Sequence, residues 1–280
     1  MNKFTQFLCL LGILLAFNSC DTGGDPLGDA LLEASAQGKL DQMKVCIDNG
    51  VDINYVNPNM LSTQQTACMK AAAHGQMEAL KWLVEKKADW HKATSGGENP
   101  ITLGAKKGHF DIVYYLIEIG EDVNYKERNY GKTAFLYAAE QGQLDAAKKL
   151  LAKGANLQEV DKEQKGAMQL AIRHAHPPMI EFLLEKGLKL NDQMLFEAVT
   201  HSGGFNMDKE KATLALLLRE GLNINVQNSD GDTPLHIANK HGNDPLIDFL
   251  QSKGADKSIK NKGGLTPDEC YNQYKEERNS

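Results

Sequence analysis

The chain is poor in the residues that usually mark a reaction centre. It holds five cysteines in 280 residues, and two of them, Cys9 and Cys20, fall within the first twenty. Cys46, Cys68 and Cys270 remain, an odd number at no metal-ligand spacing. That excludes a disulfide framework and a zinc site built on Cys-x-x-Cys pairs. There is no Gly-x-Ser-x-Gly elbow, no Gly-x-x-x-x-Gly-Lys-Ser/Thr loop and no His-Glu-x-x-His helix, so the nucleophile, phosphate and metalloprotease signatures are all missing. An excess of positive charge is missing too. Lys and Arg number 31 against 37 Asp and Glu, for a net charge of −6. Phosphate binding needs a basic footprint, so nucleic acid is excluded as the main partner. No apolar run approaches the roughly 20 residues that cross a bilayer core.

The longest apolar stretch, Phe7 to Phe17, is eleven residues behind a single charge at Lys3. It has the length of a secretory leader and not of a membrane span. The junction Phe17-Asn18-Ser19-Cys20 resembles a bacterial lipobox, departing from it by Phe and Asn at the third and second positions before the cysteine. The expectation is a signal peptide over 1–19 and a lipidated Cys20, anchored to the cell envelope at its periplasmic face or at the surface. Cleavage there removes one lysine and leaves a net charge of −7. Residues 20–28, rich in Gly and turn formers, read as a flexible tether.

From residue 29 the chain keeps a beat. A helix-closing position recurs at Gly50, Lys87, Gly120, Gly154, Gly187, Gly221 and Gly254, in steps of 37, 33, 34, 33, 34 and 33 residues. Twelve residues before the closer stands Gly38, Gly75, Gly108, Gly142 or Gly242. Sixteen before it the residue is small: Ala34, Ala71, Gly104, Ala138, Ala171 and Ala238. A small residue there lets two helices approach closely. Helix starts follow their own rules, as at Thr233-Pro234, where Thr caps the first turn and Pro gives up no hydrogen bond. A helix pair this short cannot bury its apolar face alone, so units of this period must stack on one another.

The unit resembles the ankyrin repeat, whose Thr-Pro-Leu-His-x-Ala signature stands intact at Thr233 to Ala238. Weaker copies run from Thr66 to Ala71, Asn99 to Gly104 and Thr133 to Ala138. The resemblance covers residues 29–275. It implies an all-α solenoid of seven stacked helix pairs with short β-hairpin fingers, a polar cap helix from Asn261 to Lys275, and a frayed tail over 276–280. Two departures stand out. Asn57-Pro58-Asn59-Met60 lengthens the first finger by four residues. The unit that closes at Gly221 has only six residues from Gly187 to Gln193 and lacks its finger, while residues 201–208 are extra. That insertion reads either as drift at a tolerant loop or as a contact loop with Phe205 and Met207 exposed.

Ankyrin domains work by binding, and the resemblance implies that the two residues before each mid-unit glycine face the partner together with the finger tips. The candidates at that phase are His74, Lys106, Lys107, Glu140, Arg173, His174, His201, Lys240 and His241. Four are permanently cationic and one is anionic, which points to an acidic segment on the partner. Tyr55 and Tyr125, just past the start of their fingers, and Tyr130 at a finger tip are aromatic candidates; each can serve an interface or lie over its own finger. The histidine stripe is no metal site, since stacked units step by about one helix diameter, ~10 Å, and zinc ligands sit about 2 Å from the metal. The reading is a monomeric binding module without cofactor, metal or catalytic residues. A structural or adhesive envelope protein that binds cell wall or host matrix is the alternative. A hydrolase using His201 and Ser202 is a distant one.

Overall fold

The structure, a computed structural model, describes residues 24–58, 64–200 and 206–279. All its regular elements are helices, paired in chain order. They are α1 (Pro26–Gln37) with α2 (Leu40–Asp48), α3 (Ala67–Ala73) with α4 (Met77–Glu85), and α5 (Pro100–Lys106) with α6 (Phe110–Glu118). Then come α7 (Ala134–Glu140) with α8 (Leu144–Ala152), α9 (Ala167–Arg173) with α10 (Pro177–Glu185), and α11 (Met194–Thr200) with α12 (Met207–Arg219). The series ends in α13 (Pro234–Lys240) with α14 (Asp244–Ser252) and the single α15 (Pro267–Asn279). The expected seven pairs and cap helix are present. No helix among the described residues is long and apolar enough to cross a membrane.

The chain divides into two compact units. One is residues up to Ala138 with Asp145–Gln164; the other is Ala139–Leu144 with everything from Lys165 on. Packing inside each runs between neighbours. In the first, α1 meets α2 and α3, and α3 meets α4 and α5. In the second, α9 meets α10 and α11, α11 meets α12 and α13, and α13 meets α14 and α15.

The first helix of each pair is buried more fully than the second, which is buried along one stripe. In α3, Ala67, Cys68, Met69, Ala71, Ala72 and Ala73 are buried, whereas α4 buries Ala79, Leu80 and Leu83. The small positions do the work expected of them: Ala34, Ala71, Ala138, Ala171 and Ala238 are all at most 1% exposed, so a longer side chain has nowhere to go without prising helices apart. Cys46 and Cys68 are free and buried. Burial pushes their thiols up to about 11 and about 12, which makes them inert core residues.

Each second helix ends the same way. A residue just past the closer donates back to the carbonyl five before it: Val51 to Cys46, Ala88 to Leu83, Glu121 to Leu116, Ala155 to Leu150, Leu188 to Leu183, Leu222 to Leu217 and Ala255 to Leu250. This closure needs a left-handed residue at the closer. Lys87 takes it at φ 68° where the other units use Gly.

Several boundaries differ from the sequence expectation. α1 starts at Pro26, inside the stretch read as tether, because Asp25 accepts from the N–H groups of Leu27 and Gly28 and Pro26 fits the first turn. α15 runs to Asn279, so the helix takes in most of the residues assigned to a frayed tail. The fingers are tight turns; none of the described residues forms a strand. The intact one closes with Asn228 donating to the Asp232 carbonyl at 2.9 Å. Met207 and Asp208, expected in a loop, open α12, where Asn206 accepts from the Lys209 N–H. The unit of α11 and α12 does lack its finger: α10 closes at Gly187 and α11 opens at Met194.

Candidate partner-binding face

The signature residues build the frame first. Thr233 caps α13, and its N–H donates to His236 Nδ1 at 3.0 Å. The other ring nitrogen therefore carries the proton and donates to the Leu265 carbonyl at 3.0 Å, one unit on. His236 is fully buried; it is a strut between units.

A second ladder links the finger bases. Asn54 Oδ1 accepts from the N–H of Asp89, Asn124 from Asn156, Asp192 from Asn223 and Asn225 from Asp256, each at 2.8 Å. The acceptors at 54, 124 and 225 are aimed by their own N–H groups, which donate two residues back to Asp52, Asp122 and Asn223. Sequence reasoning missed these rungs, although an Asp/Asn-x-Asn triplet starting two residues past the closer announces them. Where His91 replaces the Asn, its Nδ1 lies 3.2 Å from Glu121 Oε2 instead. Burial raises the Glu121 carboxyl above its ordinary range, and His91 opposes that.

On this frame the candidates fall into three groups. Tyr55 and Tyr125 are tied down. Tyr55 OH accepts from the Asp25 N–H at 3.1 Å and donates to Asp29 at 3.2 Å, and Tyr125 OH donates to the Gly97 carbonyl at 2.9 Å. Each spans to the turn or helix about one unit back, and burial raises both hydroxyls.

The second group is charged and paired. Lys106 Nζ sits 2.6 Å from Glu98 Oε1, and Lys240 pairs with the buried Asp232, both at a spacing of eight residues. Arg173 Nε lies 3.2 Å from Glu197 Oε2, and Lys165 meets the same carboxylate. Burial alone would raise Glu197; the two cations outweigh it and hold the carboxyl below its ordinary range. Glu140 Oε1 is 3.5 Å from His174 Nε2, and the His174 ring stacks on that of His176. His176 bonds the Glu140 carbonyl at 2.9 Å, and burial lowers its imidazole.

The third group faces solvent. Lys107, His74 and His241 are exposed at the C-terminal ends of α5, α3 and α13, although His74 Nδ1 also bonds the Lys70 carbonyl at 2.9 Å. Tyr130 is 55% exposed at its finger tip. Its ring has Lys106 Nζ at 5.3 Å and Lys132 Nζ at 6.0 Å from the centroid, within cation–π range. The remaining candidates, Cys20, His201 and Phe205, lie outside the described residues, as does Ser202. Among the described residues no cluster of His, Cys, Asp and Glu is arranged to hold a metal ion.

Stacked helix pairs bridged by finger turns define a modular binding scaffold. Family comparison places it. The model for ankyrin repeats in three copies matches residues 31–127 and 121–194, and the single ankyrin repeat model matches 230–262. The chain belongs to the ankyrin-repeat family. It is 26% identical over 224 residues to the ankyrin repeat protein YahD of Escherichia coli K12, covering 80% of this chain and 95% of that one. It is also 26% identical over 270 residues to an ankyrin repeat and KH domain-containing protein of Caenorhabditis briggsae, covering 85% of this chain but 10% of that one. An L-asparaginase of Dirofilaria immitis is 30% identical over 165 residues, which is 58% of this chain and 27% of that enzyme. The chain thus spans a small part of some relatives and nearly all of another. Ankyrin repeats are protein–protein interaction modules, and the family is generally non-enzymatic.

Proposed function

We propose that this protein binds a partner protein through the finger tips and the C-terminal ends of its first helices, held at a membrane by lipid on Cys20, and performs no chemistry of its own. The observation that carries the binding reading is Tyr130. A rigid aromatic ring, more than half exposed and flanked by two lysine ammonium groups, is the composition of an interface anchor. It suits an acidic segment, because the ring supplies area and Lys107 adds an exposed charge. The cationic stripe contributes less than its sequence suggests. Lys106, Arg173 and Lys240 are each answered by a carboxylate, which leaves Lys107 and the exposed Tyr130 ring to meet the partner. Envelope location rests on the leader and the lipobox-like Cys20.

The experiment is capture from envelope extract on the immobilised mature domain, wild type beside Tyr130→Ala and Lys107→Glu. A hot-spot tyrosine is worth 2 kcal/mol or more, so the Tyr130→Ala variant is expected to retain less than about a tenth of the captured partner. Equal capture by all three proteins overturns the reading. Incorporation of labelled fatty acid, lost in Cys20→Ser, tests the anchor independently.

A further inference from the structure

The fingers are closed at their base by one residue. Thr94, Asn228 and Asn261 each donate their N–H to the carbonyl four residues on, at 2.9 Å in all three. The start of the next helix then follows five residues after the closing one: Asn99 after Thr94, Gly166 after Asp161, Thr233 after Asn228 and Thr266 after Asn261. The finger of Glu127 departs from this. Its closing bond reaches five residues on, to the Lys132 carbonyl at 3.2 Å, and Thr133 stands six residues away.

One residue has been added, and the rungs between tips identify it. Lys162 donates to the Tyr130 carbonyl at 2.8 Å, and Lys262 to that of Asp230 at 2.9 Å. Into the Gly96 carbonyl come two donors, Arg128 at 2.8 Å and Asn129 at 3.0 Å. Asn129 is the extra residue. Tyr130 follows it, just ahead of the left-handed Gly131, at the place that Gly96, Glu163, Asp230 and Gly263 hold in the other fingers. An aromatic stands there only in the lengthened finger.

A wider turn needs a longer closing side chain. Asn228 Oδ1 accepts from the N–H groups of Asp230 and Asp232 at 2.9 and 3.0 Å. Glu127 has one methylene more and a second oxygen. Its Oε2 accepts from Asn129 at 2.5 Å and its Oε1 from Lys132 at 3.1 Å, while the Tyr130 N–H lies between the two at 2.8 and 3.1 Å. Glu127 is 1% exposed. A carboxylate that far from water is destabilising unless it is hydrogen-bonded, and bonds to an ionised acceptor are stronger than neutral ones. With Lys162 on its carbonyl as well, Tyr130 has both backbone groups held, and its ring is left to project.

We infer that Glu127 is a positioning residue for partner recognition, a role that rests on the reading of Tyr130 as the anchor. Matched in length to the inserted Asn129, it locks the Tyr130 backbone so that the ring meets an acidic segment already in place. A tip ordered beforehand avoids the affinity lost when a loop is ordered on binding.

Two measurements on the full chain test this: hydrogen exchange of the Tyr130 amide in the free protein, and capture from envelope extract by the immobilised protein. Glu127→Ala should speed Tyr130 exchange at least about tenfold and retain less than about a fifth of the captured partner. Glu127→Gln keeps the length and one oxygen, and should fall between. Glu127→Asp is one methylene short and should behave as Glu127→Ala does. Deleting Asn129 from the Glu127→Asp chain returns the finger to its ordinary length, and should restore slow exchange and capture together. Across the series capture should follow Tyr130 exchange and not the urea unfolding midpoint. Unchanged exchange in Glu127→Ala overturns the role, and so does capture that follows the midpoint. Wild-type capture by Glu127→Ala overturns it too, provided that Tyr130→Ala loses the partner. Wild-type capture by Tyr130→Ala itself locates the failure in the anchor reading, and the role of Glu127 in recognition falls with it.

Discussion

The unit that ends in α14 has its whole finger, from Gly221 to Thr233; the unit that ends in α12 has none. Their helices are nonetheless built alike. Both second helices close with the same backward hydrogen bond, Leu222 to Leu217 and Ala255 to Leu250. Both keep the rung to the next unit, although in the fingerless unit the acceptor is Asp192, five residues past the closer instead of four. The contrast teaches that the helix stack is held by leucine burial and helix closure, while the finger is a removable attachment.

Three changes test that contrast, the largest first. If burial sets the stack, Leu83→Ala in a fingered unit and Leu217→Ala in the fingerless one should cost alike, since both side chains are wholly buried. A loss of about 2–5 kcal/mol is expected for each, read by urea denaturation. A cost several-fold smaller at Leu217 would mean that the fingerless unit is looser. Next, Asp192→Ala and Asn124→Ala each remove one rung, at about 0.5–1.5 kcal/mol apiece. Asp192 has lost the finger that would brace it, so the fingerless rung should prove the costlier; amide exchange at Asn223 and Asn156 reports each locally.

The smallest effect concerns Glu197, by which α11 of the fingerless unit grips Lys165 and Arg173. Its folded carboxyl is held below the unfolded value, so its stabilisation is present above the ordinary carboxylate range and is lost as pH falls through the folded value. Glu197→Gln should cost about 0.5 kcal/mol near neutrality, and wild type and variant should converge in acid, once pH has fallen through the depressed folded value. A gap that persists in acid would show that the residue acts by packing and not by charge.

Much of the fold was legible in the chain, because a period of 33 to 34 residues and a small residue at one phase leave few ways to bury the apolar faces. The candidate face was legible only in part. Position told that Lys106, Arg173 and Lys240 line up, but not that each has an acid at hand. For Lys106 and Lys240 a signal existed, an acidic residue eight places back just ahead of the helix cap. For Arg173 the partner is 24 residues away, and only the packing of α9 against α11 brings it close. Tyr55 and Tyr125 looked like interface residues because sequence shows an aromatic ring and not the backbone groups its hydroxyl will find.

The sequence by itself determined the repeat, the helix pairs and the missing finger, since each follows from local rules of capping, spacing and side-chain size that need no knowledge of distant residues. Tertiary structure decided which charges are neutralised and which tyrosines are struts. Those depend on what lies one unit away in space, and an ion pair or a hydrogen bond is a property of two neighbours, never of one residue.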